Sequence, residues 1–217
     1  MLRKPDLSAE RLRKRYRAET RFRAYGIAAI VSALAVLVLL IGSIVATGTG
    51  AFVRTEIALA VSLDRDTLDL SENLDEDALA KANYRGAVIA ALRQAFPDVT
   101  RRNERRNLLK LLSDDAPHQL RNLVLADPAL VGTTQKIWFI AAADIDSFNK
   151  GDIPRDVPEA NRRVKDKQVE WFDALAAAGN VSTTFNTTFF TAGDSSQPEL
   201  AGILGATVGS ALTLIVT

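Results

Sequence analysis

The sequence has no cysteine and one histidine among 217 residues. Without cysteine there is no disulfide framework and no thiolate-ligated zinc, and a lone histidine cannot build a histidine metal cluster. Gly-rich phosphate loops, metal-ligand spacings and nucleophile–base–acid sets are missing too, so the chain is expected not to be an enzyme and to need no cofactor. Charge is absent from two whole stretches, residues 24–53 and 200–217. An overall balance of 27 basic against 26 acidic side chains hides this segmentation. Residues 1–23 carry nine basic and three acidic side chains, a net of +6, and residues 54–199 carry eighteen and twenty-three, a net of −5. Asymmetry of this kind points to a membrane.

The first uncharged stretch contains Gly26 to Val45, an apolar run of the length a helix needs to cross a hydrocarbon core of roughly 30 Å. Phe22 and Tyr25 stand where the inner interface is expected and Phe52 where the outer one is. The rival is a cleaved signal peptide. The long basic region, the length of the apolar run and the lack of a clear A-x-A cleavage site argue for an uncleaved anchor. Orientation follows from the basic flank: Arg11, Arg13, Lys14, Arg15, Arg17, Arg21 and Arg23 precede the span, whereas Arg54 and Arg65 follow it. Basic residues resist translocation, so the N-terminus is expected in the cytoplasm. Beside a span, this tail reads as a topology signal and a contact for anionic lipid, not as a nucleic-acid site.

The second uncharged stretch follows Glu199. Its length gives a helix of about 27 Å, short of a full crossing, with no polar flank before Thr217; the natural chain is expected to continue. Gly202, Gly205 and Gly209 form a small-residue stripe, the spacing that lets helices approach closely in lipid. Packing against other spans is expected there.

Residues 54–198 read as an extracytoplasmic α+β domain of about three strands and four helices, large enough for a core of its own. Thr55 to Leu63 alternates, with Ile57, Leu59, Val61 and Leu63 on one face, a half-buried strand. Helices are expected over Asp77–Ala95, Arg102–Leu112, Ala116–Ala126 (Asp115 as cap, Pro117 in the first turn) and Pro158–Ala178. In the last, Val164, Gln168, Trp171, Phe172 and Leu175 share a face and Gly179 is the stop. Gln135–Ala143 and Val181–Phe190 are rich in branched and aromatic residues and read as strands. The domain map is therefore a basic tail (1–23), a span with its flank (24–53), the external domain (54–198) and the start of a second span (199–217).

Three local patterns invite chemistry and are better read without it. Asp144 to Asp152 resembles a calcium loop, but its glycine falls at the eighth position and Arg155 at the twelfth, so an acidic solvated turn is expected. Arg101, Arg102, Arg105 and Arg106 could grip an anion, yet nearby Asp98 and Glu104 favour a solvated helix face. His118 has no partner set and reads as a surface residue. The glycosylation triplets at Asn180 and Asn186 are taken as chance.

The run Phe189 to Ser210, above all Pro198-Glu199-Leu200-Ala201-Gly202-Ile203-Leu204-Gly205-Ala206-Thr207-Val208-Gly209-Ser210, resembles the opening of the transmembrane core in PstA-type permeases. Those are membrane subunits of the bacterial phosphate ABC importer. The stretch from Lys14 to Glu19, and on through the span to Ile57, is similar to the extra N-terminal domain of proteobacterial members. The resemblance implies a multi-pass inner-membrane subunit that works with a PstC-like second permease, a PstB-like ATPase and a periplasmic phosphate-binding protein. Phosphate as cargo comes from the resemblance alone. The Glu-Ala-Ala-type loop that couples such permeases to their ATPase does not occur in these residues, so no coupling or translocation residue is assigned. A receptor with a span–sensor–span layout, such as a histidine kinase or chemoreceptor, shares the basic tail and the spacing of apolar runs; the glycine stripe favours the polytopic reading.

Overall fold

The computed structural model describes residues 9–70 and 75–216, with side chains described from residue 16 onward except at residue 47. The chain divides into two compact units, Met1–Thr49 and Gly50–Thr217.

The first unit is one helix, α1 (Ala9–Gly48), of 40 residues. The basic tail joins the apolar run in it without a break, because nothing from Ala9 to Gly48 includes a proline and glycine is sparse. Every described side chain of α1 is exposed. It is long and apolar enough to cross a membrane. Arg17, Arg21 and Arg23 are exposed on its first half; the side chains of Arg13, Lys14 and Arg15 lie outside the described residues.

The second unit opens with a 3-10 turn, Thr49–Phe52, and then β1 (Val53–Ser62). Short helices α2 (Arg65–Leu68) and α3 (Glu76–Lys81) lead into α4 (Tyr84–Ala95). A single helix from Asp77 to Ala95 was the sequence expectation, but Asn83 interrupts it: its Oδ1 accepts from the Gly86 N–H at 2.9 Å and starts a new helix. Helix α5 (Arg102–Leu109) ends before the expected Leu112, which instead bridges to Ala141. Helix α6 (Ala116–Ala126) lies where expected, with Asp115 at the cap position but making no side-chain cap bond.

Strand β2 (Thr134–Ile140) is followed directly by α7 (Ala143–Lys150), closed by Gly151 at φ +86. This corrects the reading of 144–152 as a solvated turn: Asp146 is an internal acceptor, not a loop carboxylate. Helix α8 starts late (Asp166–Ala177), because Pro158 to Val164 forms a 3-10 turn and a bend, with Glu159 Oε2 accepting the Asp166 N–H at 3.0 Å. Its inward face is nonetheless the expected one, with Gln168, Trp171, Phe172 and Leu175 buried and Val164 buried just before it. Gly179 takes φ +69 as the stop. Strand β3 (Val181–Phe185) is half the expected length; α9 (Thr187–Thr191) replaces its second part. Helix α10 (Leu204–Val216) is 13 residues long, apolar and exposed, and shorter than a span needs; Thr217 lies outside the described residues.

The three strands form an antiparallel sheet in the order β2-β1-β3. Register pairs Leu59 with Ile137 and Ile57 with both Phe139 and Val181. One face, with Ile57, Leu59, Val61, Leu63 and Phe139, packs on Val88 and Leu92 of α4, Leu120 and Val124 of α6, Ile145 and Phe148 of α7 and Phe172 of α8. The opposite face leaves Ala60 and Trp138 exposed. The domain is thus a two-layer α+β fold with its core between one sheet face and the helices.

Candidate functional site

Two places in the second unit gather polar or apolar groups beyond what the core needs. The first is a groove of about 400 Å³ between the end of α5, the start of α7, the start of α8 and the segment Gln197–Glu199. Lys110, Arg163 and Lys165 line it together with Asp114, Asp144 and Glu199. Three cations thus face three carboxylates. Arg163 Nε already lies 3.2 Å from Asp144 Oδ1, and Lys165 Nζ lies 3.6 Å from Glu159. Gln168 in the groove wall is consumed internally, its Oε1 accepting from Lys165 N (2.9 Å) and its Nε2 donating to Asn107 O (3.1 Å). A charge-balanced set, with one ion pair already formed inside it, does not concentrate a free anion; it suits a polar protein surface.

The second place is the end of the domain where the chain arrives from the 3-10 turn and leaves toward α10. Asn186 organises it. Its backbone N–H donates to Phe52 O (2.9 Å), its Nδ2 to Ala51 O (3.1 Å), and its Oδ1 accepts from Phe189 N (3.3 Å), capping α9. The far side is held by three backbone bonds: Gly202 N to Gly193 O (2.8 Å), Ile203 N to Phe189 O (2.8 Å) and Leu204 N to Ala192 O (3.2 Å). Gly202 has no room for a side chain: a Cβ would sit 2.4 Å from Ala192 O and 2.7 Å from Thr188 O. Arg54 spans the joint from β1, donating to Thr188 Oγ1 (2.8 Å) while pairing with Glu56 (2.7 Å).

Four phenylalanines cover this end. Phe190 stacks between Phe52 (5.9 Å, 12°) and Phe185 (5.6 Å, 13°), and Phe189 stands edge-on to Phe52 and Phe190. Phe185 is 60% exposed, and Phe52 and Phe190 are each 41% exposed.

The three glycines expected to pack spans together part company here. Gly202 precedes α10 and is pressed on the end of α9; Gly205 has only Gly193 Cα at 3.9 Å; nothing lies within 4 Å of Gly209. Sequence reasoning missed Asn186, whose triplet was read as chance; an Asn directly after the branched-aromatic run Val181–Phe185 was the available signal for a helix cap.

The other flagged residues do not converge. His118 is exposed on α6. Arg101, Arg105 and Arg106 are exposed and engage Glu104, Val99 O and Asn103, a solvated helix face. Among the described residues no three His, Cys, Asp or Glu side chains are placed to hold a metal. Asp146, in the would-be calcium loop, accepts from the Thr55 N–H (2.7 Å) and pairs with Lys150 (2.5 Å), while Asn149 Nδ2 donates to Thr55 Oγ1 (3.0 Å).

The family described as Domain of unknown function (DUF3333) matches residues 9–159. The chain belongs to this family. No curated protein and no solved structure matches the chain. The DUF3333 match begins at the first residue of α1 and ends in the 3-10 turn before α8, so it takes in the apolar helix together with most of the folded domain. The match therefore covers the helix and the domain through α7; α8, β3, α9 and the Gly202 joint follow it in the chain.

Proposed function

We propose that this chain is the N-terminal part of a membrane permease subunit of an ABC importer for inorganic phosphate, with its folded domain on the extracytoplasmic side as a docking or gating element. The observation that carries the membrane part is the shared end of the domain. Phe52, which leads in from α1, and Ile203, which leads out into α10, are both joined to α9, so two apolar helices attach at one place. A soluble chain gains nothing from bringing two exposed apolar helices to one end; a domain seated on a bilayer needs it. The basic flank of α1 favours a cytoplasmic N-terminus and leaves the domain outside.

The phosphate cargo rests on the likeness of Pro198 to Ser210 to the PstA-type permease core. The joint supports that reading in one respect: Gly202, within the likeness, is fixed against Ala192 and Thr188, so the motif belongs to the domain as much as to the helix. The domain then moves with α10 and is not a tethered appendage. Its net charge of −5 and the balanced groove argue against capture of free phosphate and for contact with a partner protein, either the phosphate-binding protein or the second permease.

The test is made on the full-length gene product in its own membrane. Co-purification with an ATPase and a second permease, with uptake of radiolabelled phosphate that fails on deletion of residues 54–198, is the expected outcome. A soluble signalling domain downstream of residue 217, with uptake unchanged in the gene's absence, would make the chain a receptor input region instead.

A further inference from the structure

We infer that Phe52, Phe185, Phe189 and Phe190 are a membrane foot: an aromatic cluster that seats this end of the domain in the headgroup–acyl boundary of the outer leaflet. The inference rests on the membrane reading above and adds to it a site, a depth and a ligand class, the lipid surface itself.

The cluster is not core. It lies outside the buried set between sheet and helices, and its rings pack on one another while Phe52, Phe185 and Phe190 stay exposed. Phenylalanine side chains bury roughly 150–250 Å² each when covered, so leaving three of them this exposed to water is a standing cost that a cover would remove. The chain itself names the cover. Phe52 ends the 3-10 turn that directly follows Gly48, the last residue of α1. Phe189 O accepts from Ile203 N, one residue before α10 begins. If α1 lies in the bilayer, Phe52 is held within one turn of its surface, and Phe190 follows at 5.9 Å from Phe52 and Phe185 at 5.6 Å from Phe190, within reach of the same boundary. Aromatic rings are favoured at that level. Two strongly polar side chains at this end are already engaged: Asn186 on Ala51, Phe52 and Phe189, and Arg54 on Thr188 and Glu56. Seating the rings in the boundary therefore strands no hydrogen-bonding group of theirs.

The absence of cysteine makes a clean experiment available, since one introduced thiol carries one spin label. The full chain is placed in vesicles of phosphatidylethanolamine and phosphatidylglycerol, with Phe185→Cys, Phe190→Cys, Leu37→Cys on α1, or Leu123→Cys on α6 as the remote control. The ratio of oxygen to nickel-chelate accessibility is expected above unity at 37, 185 and 190, deepest at 37, and below unity at 123. If 37 reads as lipid while 185 and 190 read as water, the foot is wrong and the membrane reading survives. If 37 also reads as water, the membrane reading itself fails. Labels at 185 and 190 shielded from both reagents would mean a protein cover, which also overturns the proposal. Phe185→Trp guards against disruption by the label: brominated lipid should quench the emission it adds to that of Trp138 and Trp171, and unquenched emission counts against the foot.

Discussion

Replacing Gly202 by alanine tests the joint between the domain and α10. The added Cβ would lie 2.4 Å from Ala192 O, 1.0 Å inside the 3.4 Å at which ordinary contact begins, and the obstacle is backbone, which cannot swing aside. Relief requires the Gly202–Leu204 segment to lift from α9. That stretches three backbone hydrogen bonds of 2.8, 2.8 and 3.2 Å. Overpacking against a fixed neighbour costs about 1–3 kcal/mol, and each of these bonds is worth about 1 kcal/mol net, so a loss of about 2–3 kcal/mol is expected. For a unit of this size that lowers Tm by roughly 5–10 °C. The comparison is Gly209→Ala, at a position with nothing within 4 Å, where alanine is the better helix former and no loss is expected. Thermal unfolding of the full chain in detergent, followed by the fluorescence of Trp138 and Trp171, reads both, because both indoles sit in the domain. A Gly202→Ala protein with the wild-type Tm, or a Gly209→Ala protein that falls equally, would refute the reasoning.

Asp146→Ala strands the N–H of Thr55, a residue with no exposure, and should cost about 1–3 kcal/mol, whereas Arg155→Ala, which breaks the bidentate but half-exposed pair with Asp173, should cost under about 1 kcal/mol by the same unfolding assay. Asn83→Ala removes the cap that starts α4 and should lose about 1 kcal/mol, most of it recovered by Asn83→Ser. Burial raises the Tyr84 phenol above its ordinary value, with Arg121 pulling the other way, and its O–H donates to Leu79 O at 2.7 Å. The folded state therefore holds this proton more tightly than the unfolded chain does. The contribution is complete below the unfolded value near 10 and drains away as pH rises through the folded one. Tyr84→Phe should be about 1 kcal/mol less stable at neutral pH yet lose less stability than wild type in alkaline urea titrations.

Where period and composition acted over a whole element, the sequence could be read directly. The alternation from Ile57 to Leu63 is the buried face of the central strand, and Val164, Gln168, Trp171, Phe172 and Leu175 are buried as their spacing implied. Ends were harder, because single side-chain bonds set them. Asn83 splits one expected helix in two by catching Gly86 N, and Asn186 converts the second half of an expected strand into α9 by catching Phe189 N. The residues Thr187 to Phe190 are as β-prone as those before them, so composition alone gives no stop. At 144–152 the acidic composition suggested solvent, but Asp146 serves a backbone N–H on β1 and Gly151 supplies the left-handed stop, both consequences of tertiary contact. The candidate site was legible only in part. Gly202 stood out by its small size, and what fills the space of its missing Cβ is the end of α9, at Ala192 and Thr188.

This contact of Gly202 bears on how the domain would act on α10 under the permease reading proposed above. Gln197, Pro198 and Glu199 line the polar groove and lead within five residues to the start of α10. Between groove and helix lies the Gly202 contact, which ties the same segment to α9. A partner protein seated in the groove would therefore press on a segment that has no slack on its way to α10. A flexible linker there would absorb such a displacement; a segment held by three backbone bonds and a filled Cβ space passes it on. On the permease reading, a docking partner would act on the helix by moving the domain as a body, and loosening the joint with Gly202→Ala should then weaken partner-dependent uptake more than it weakens partner binding.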